Sequence, residues 1–144
     1  MLNHPLLPKQ LSAGIVIVHF DSERYRLLAL RNFNSWDFPN LPVEEGDDPL
    51  QTALRAGRES TGLDELELDW GDASRETVPF EDGSVTRYYI ARSKSDDVQL
   101  DVPPGEGSED FEYRWVTAEE AEDVLPPRLA LILDWALRQL ASKT

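Results

Sequence analysis

Cysteine is absent from the 144-residue chain, which excludes a disulfide framework, a cysteine-ligated zinc site and any thiol nucleophile. Packing alone must hold the fold, and the lack of thiols fits a reducing compartment. Lysine is almost as scarce, with only Lys9, Lys94 and Lys143, so the 14 basic residues are mostly arginine and stand against 28 acidic ones for a net charge of −14. That balance excludes duplex nucleic acid and anionic membrane as partners of the surface as a whole, although a local basic pocket could still take an anion. Long apolar runs are missing too. Pro5 and Pro8 interrupt the first ten residues, so neither a signal peptide nor a membrane span is expected, and the chain reads as soluble and cytoplasmic. No repeat or low-complexity segment appears. The length suits one domain over residues 1–144, with enough chain to bury a core without staples.

What is present reads as strands, a helix, more strands and a final helical segment. Ser12 to Phe20 is a β-branched run ended by the turn signal Asp21-Ser22, and Tyr25 to Arg31 is its hairpin partner. A loop-rich stretch from Asn32 to Asp48 holds one strand-like island at Trp36-Asp37-Phe38. Pro49 stands where a helix begins, behind the capping acids Asp47 and Asp48, and Gly62 stops that helix after about Thr61. Leu63 to Trp70 alternates like a half-buried strand. Thr77–Phe80 and Ser84–Arg92 read as strands around the turn Glu81-Asp82-Gly83. The polar stretch 93–110 is expected to be a loop, and Glu112–Val116 a last strand. Thr117-Ala118-Glu119-Glu120 is a capping box, and Arg128 to about Ala141 carries Leu129, Ile132, Leu133, Ala136, Leu137 and Leu140 on one stripe. The expectation is an α+β domain with a mixed sheet.

The informative stretch runs from Leu41 through Gly46-Asp47, Arg55-Ala56-Gly57-Arg58-Glu59-Ser60-Thr61-Gly62 to Leu63. It resembles the Nudix box, G-x5-E-x7-R-E-U-x-E-E-x-G-U with U aliphatic, of the metal-dependent pyrophosphohydrolases. Carboxylates at i, i+3 and i+4 of a helix share a face and can converge on divalent cations, which offset charge on phosphates and lower the pKa of an attacking water. The chain keeps Arg55, Glu59, Gly62 and Leu63, with Asp47 in place of the first Glu. Leu41, Ala56, Gly57 and Ser60 depart from the pattern, so the three-acid face is reduced to Glu59. Gly57 also costs about 1 kcal/mol relative to Ala inside a helix.

Other stretches extend the resemblance over nearly the whole chain. They are Ser12-Ala13-Gly14-Ile15, Leu27 to Leu30, Trp36-Asp37-Phe38-Pro39, Tyr88 to Ala91 and Glu109 through Tyr113-Arg114-Trp115-Val116 into Thr117. Their order is similar to that of the asymmetrical diadenosine tetraphosphate hydrolases. The resemblance implies a Nudix fold, a mixed β-sheet sandwiched between helices (α/β/α), with Mg2+ or Mn2+ as cofactor and a nucleotide or dinucleoside polyphosphate as partner, the chain being a monomer or homodimer. It implies Asp47, Glu59 and Glu109 as metal ligands, with Glu59 and Glu109 in the catalytic role. It places Tyr88 as the residue stacking on a base. Family members carry a Lys after the Trp-x-x-Pro motif, where this chain has Asn40.

Each assignment has a structural alternative. Arg55 lies four residues before Glu59 and can form an ion pair with it. Asp47 can act as a capping acid near the helix dipole. Tyr88 and Tyr89 alternate across a strand, so one is expected in the core and the other toward a groove. Trp36 is the tryptophan nearest a pocket. Arg31, Arg55, Arg58 and Arg87 are the side chains able to meet phosphates. Two functions follow: a hydrolase of nucleoside-diphosphate-linked substrates with weak or lost turnover, or an inactive nucleotide-binding or protein-interaction module on the same fold.

Overall fold

The computed structural model describes residues 10–102, 105 and 107–142. Expectations for the first nine residues lie outside them. The strands are β1 (Leu11–Phe20), β2 (Tyr25–Asn32), β3 (Ser35–Asp37), β4 (Asn40–Pro42), β5 (Leu66–Glu67), β6 (Arg75–Glu76), β7 (Val85–Ser93) and β8 (Phe111–Val116). The helices are α1 (Pro49–Thr61), α2 (Ala118–Val124) and α3 (Ala130–Ser142). All eight strands join one sheet, in which β1 and β7 run parallel and the other pairings are antiparallel.

Period-two alternation in β1 explains the layering. Ala13, Ile15 and Ile17 face a core shared with Ala53 and Leu54 of α1, while Val16 and Val18 face a second core shared with Ala121 of α2 and Ile132, Leu133 and Ala136 of α3. A strand with apolar side chains on both faces has to be covered on both, and burying each Ile or Leu contributes about 1.5–3 kcal/mol. The result is the expected α/β/α arrangement around a mixed sheet.

Helix α1 starts at Pro49 and stops at Gly62, whose φ is 75° and whose N–H donates to the Arg58 carbonyl. Asp48 occupies the N-cap position but makes no side-chain cap bond. Capping by an Asp47 or Asp48 side chain is therefore corrected. The strand expected over Leu63–Trp70 shrinks to Leu66–Glu67, because the chain turns at Leu68, where Gly71 N–H donates to its carbonyl. Trp70 then crosses to the α3 layer and donates its indole N–H to the Gln139 carbonyl at 3.1 Å. The strand expected at Thr77–Phe80 is replaced by the two-residue β6, followed by a turn held by Phe80 N–H on the Ser84 carbonyl. The capping box forms as expected: Thr117 accepts from Glu120 N–H, and Glu120 accepts from Thr117 N–H. The last helical segment opens with a 3-10 turn at Pro127–Leu129.

Candidate functional site

A split in the sheet makes the site. β1 and β2 pair only from Val18 to Phe20 and from Tyr25 to Leu27. Beyond that, β1 takes β4 as its neighbour at Ser12–Gly14, and β2 takes β3 at Leu30–Asn32. Between them opens a cleft of about 280 Å3, lined by Leu30, Asn32, Ser35, Asp37, Phe38, Pro39, Asn40 and, from the end of α1, Ser60. Asn40 donates its amide to the Phe38 carbonyl at 2.9 Å. The side chains of Asn32, Ser35 and Ser60 make no hydrogen bond within the described protein, so they present neutral polar groups to whatever enters. No Lys or Arg is among the lining residues.

The wall of the cleft is fixed by Asp37. Its carboxylate accepts from Phe38 N–H at 2.6 Å, from the Tyr88 hydroxyl at 2.8 Å and from Arg128 Nη2 at 3.1 Å. Tyr88 is only 1 % exposed and its ring packs edge-on against Phe38. Burial, and then the nearby Asp37 carboxylate, push the Tyr88 hydroxyl pKa up, so the group is a neutral donor. Tyr88 as an exposed base-stacking ring is thus corrected. Its neighbour Tyr89 is buried in the opposite core. Both tyrosines are internal because β7 is covered on both faces, leaving neither turned to a groove.

Two positions of α1 where the Nudix box has acids are neutral here. Ala56 is completely buried, and Ser60 reaches the cleft as a hydroxyl. Asp47 and Glu59 line a different surface groove, of about 660 Å3, together with Glu44, Arg55 and Arg58. Arg55 and Glu59 form no ion pair, which corrects the i, i+4 pairing. Glu109 sits in a 3-10 turn at Ser108–Asp110 before β8. Among the described residues, no three Asp, Glu or His side chains gather closely enough to hold a metal ion, so Asp47, Glu59 and Glu109 do not converge. One carboxylate, Asp37, lines the cleft, and three donors already occupy it. The cleft side chains therefore do not fit a caged Mg2+ or Mn2+ ion, which takes oxygen ligands from well-placed carboxylates; the acids Glu44, Asp47, Asp48 and Glu59 stand instead along the α1 groove.

Of the four arginines expected at phosphates, Arg55 and Arg58 line the α1 groove, whereas Arg31 and Arg87 are otherwise engaged. Arg31 donates from Nε to Glu112 at 3.0 Å, from Nη1 to the Phe33 carbonyl at 2.5 Å and from Nη2 to the Glu109 carbonyl at 2.9 Å. This brings Arg31 and Glu109 together, but through the backbone of Glu109. The Arg31 guanidinium, with Arg114 assisting, holds the Glu112 pKa below its ordinary value. Arg87 pairs with Glu76 at 2.8 Å on the β6 edge and is not one of the cleft-lining residues. Trp36 lies half-buried under Arg114, whose guanidinium carbon is 5.1 Å from the ring centroid. Sequence reasoning missed Phe33, which is 50 % exposed with φ at 59°. An aromatic set between Asn32 and Asn34 in a turn was the available signal.

A mixed sheet between helical layers, split to open a cleft beside the end of α1, is the architecture that the comparisons identify. Residues 8–136 match the NUDIX domain, and the chain belongs to that family. Among its relatives, the asymmetrical bis(5'-nucleosyl)-tetraphosphatase of Sus scrofa is 32 % identical over 98 residues, covering 66 % of this chain and 64 % of that protein. The RNA pyrophosphohydrolase of Francisella tularensis is 28 % identical over 100 residues, 60 % of this chain and 64 % of that one. The match thus spans less than two thirds of these relatives' length. In fold, the chain is similar to a Caenorhabditis elegans Ap4A hydrolase binary complex, with a TM-score of 0.75 at 22 % identity over 91 % of this chain and 98 % of the other. The NUDIX domain of Shewanella oneidensis NrtR, solved with ADP ribose, gives 0.70 at 17 % identity, covering 94 % and 91 %. No described helix is long and apolar enough to cross a membrane.

Proposed function

We propose that this Nudix domain binds a nucleoside-diphosphate-linked small molecule of the dinucleoside polyphosphate class in the β3–β4 cleft, and hydrolyses it weakly or not at all. One observation carries the reading: where the box pattern calls for acids, α1 brings a buried methyl at Ala56 and a hydroxyl at Ser60. Attack of water on a phosphoanhydride depends on stabilising developing charge, and neutral groups supply little of that. Asn32, Ser35 and Ser60 can instead hold phosphate or ribose oxygens by hydrogen bonds. The ligand class is supported by the relatives, whose names point to a dinucleoside tetraphosphate and to ADP ribose. One domain over residues 1–144, acting in the cytoplasm as a monomer or homodimer, belongs to the same reading.

The test compares diadenosine tetraphosphate hydrolysis by the natural chain, Ser60→Glu and the double variant Ala56→Glu with Ser60→Glu, each with Mg2+ or Mn2+. The natural chain should be slower than the best restored variant by about 100-fold or more, the scale of several kcal/mol that metal activation supplies. Ser60→Glu is the safer change, because its side chain already reaches the cleft and Ala56 is enclosed. A natural chain as fast as the restored ones would overturn the reading. Calorimetry with a non-hydrolysable dinucleotide should show binding that persists without divalent metal; no binding would favour a protein-interaction module.

A further inference from the structure

We propose that Phe33 is the nucleobase platform of the cleft, an assignment that rests on the nucleotide reading above and names the part of the ligand it recognises. Phe33 lies in the β2–β3 turn, directly after Asn32 and two residues before Ser35, both of which line the cleft. Its φ of 59° is in the left-handed region that bulky side chains rarely enter. A turn whose task was only to reverse the chain would be served by Gly or Asn there.

The surrounding chain holds this conformation in place. Phe33 N–H donates to the Asp110 carbonyl at 2.6 Å, and the Phe33 carbonyl accepts from Arg31 Nη1 at 2.5 Å. Arg31 is itself anchored on Glu112 and on the Glu109 carbonyl. The Phe33 ring meets Phe111 edge-on at 5.2 Å, yet half of its surface stays exposed. Strain kept at a cleft rim, with an exposed ring as its product, is a feature of ligand-holding positions.

The sheet register extends the aromatic surface. Phe111 stands opposite Asn32 and Tyr113 opposite Leu30. Two cleft-lining residues therefore have aromatic neighbours on the adjoining strand, and Tyr113 is 39 % exposed. A flat apolar surface beside neutral polar groups suits a planar base stacked on the rim with its sugar and phosphates in the cleft. Arg31 is a positioning residue: its donors are spent on the turn, Glu109 and Glu112.

The test uses the full chain and two probes without added metal, ATP and inorganic tripolyphosphate, titrated by calorimetry. Phe33→Ala and Phe33→Gly should each weaken ATP binding by about tenfold, the scale of one base–aromatic stack, and leave tripolyphosphate binding unchanged. Phe33→Trp should retain ATP affinity. Phe33→Gly should also melt no lower than the natural chain, since it relieves the backbone; a fold defect would lower the melting temperature and both affinities together. Variants Phe33→Ala and Phe33→Gly that bind ATP as tightly as the natural chain overturn the proposal. A natural chain that binds both probes equally overturns it while leaving phosphate binding intact, and one that binds neither overturns it together with the nucleotide reading.

Discussion

The Tyr88 hydroxyl, on a ring that is 1 % exposed, donates a 2.8 Å hydrogen bond to Asp37 at the edge of the cleft. The same carboxylate receives Arg128 at 3.1 Å from the turn before α3. One acid on the short strand β3 thus joins the central strand β7 to the helical layer. Tyr88→Phe removes one donor of three and should cost about 1.5–2 kcal/mol, the low end for a hydrogen bond to a charged group. Asp37→Ala should cost more, about 3 kcal/mol, because it leaves the buried hydroxyl unsatisfied and strips Arg128 of its partner. Urea unfolding of both variants decides; equal costs would mean that Asp37 is not the hub.

Gly14 is the other side of the same contact. A Cβ there would lie 2.5 Å and 2.6 Å from two Tyr88 ring carbons and 3.0 Å from the Pro39 carbonyl oxygen. The ring is enclosed and cannot swing away, so Gly14→Ala should destabilise by at least about 2 kcal/mol, in the overpacking range. A thermal melt measures it. An unchanged midpoint would show that β1 can shift past Tyr88.

Much of this framework was legible in the chain. The β-branched run of β1, the Pro49 and Gly62 signals of α1 and the Thr117 capping box are local features, and each element forms where its local signal stands. The failures share a cause in tertiary pairing. Leu63–Trp70 alternates well enough for a strand, yet only Leu66 and Glu67 find a partner on β7. β4 has no pattern of its own and exists because β1 offers it an edge at Ser12–Gly14. At the site, the alternation that suggested one exposed tyrosine ignored the second core behind β7. The convergence expected of Asp47, Glu59 and Glu109 depended on how a loop before β8 meets α1, which no spacing in the sequence encodes.

Acid sensitivity should come from three carboxylates at the surface, Asp21 and Glu112 half-buried and Glu120 exposed. Hydrogen bonds lower the pKa of each: Asp21 chiefly through the Arg26 side chain, Glu112 chiefly through Arg31, and Glu120 chiefly through the Thr117 backbone N–H. A folded-state pKa below the unfolded one gives stability that is present above the unfolded value and is lost as pH falls through the folded one. Melting temperature should therefore hold near neutrality and decline below the ordinary carboxylate range, around pH 4. Glu120→Gln retains the capping-box geometry without the titration, so its melting curve should decline less steeply with acid than that of the natural chain. Parallel curves would remove Glu120 from the account.

Gly57 sits in the middle of α1 at a position where the box pattern has an aliphatic residue, and two opposing magnitudes decide what Ala would do there. Helix propensity favours Ala by about 1 kcal/mol. Against that, a Cβ would lie 3.1 Å from Ile15 Cγ2, 3.2 Å from Ile17 Cδ1 and 3.2 Å from Leu66 Cδ1. Three buried side chains from two strands would have to give way together, and overpacking of that kind costs about 1–3 kcal/mol. The crowding outweighs the propensity, so Gly57→Ala should lower the melting temperature by a few degrees, roughly 2–5 °C for a domain of this size. Gly57→Leu, which restores the aliphatic, should be worse, because it drives α1 off β1. The glycine lets the helix lie close on Ile15 and Ile17, which offsets its poor helix propensity. A Gly57→Ala chain that melted higher than the natural one would mean that α1 and β1 have room to spare, and this departure from the box would lose its packing reason.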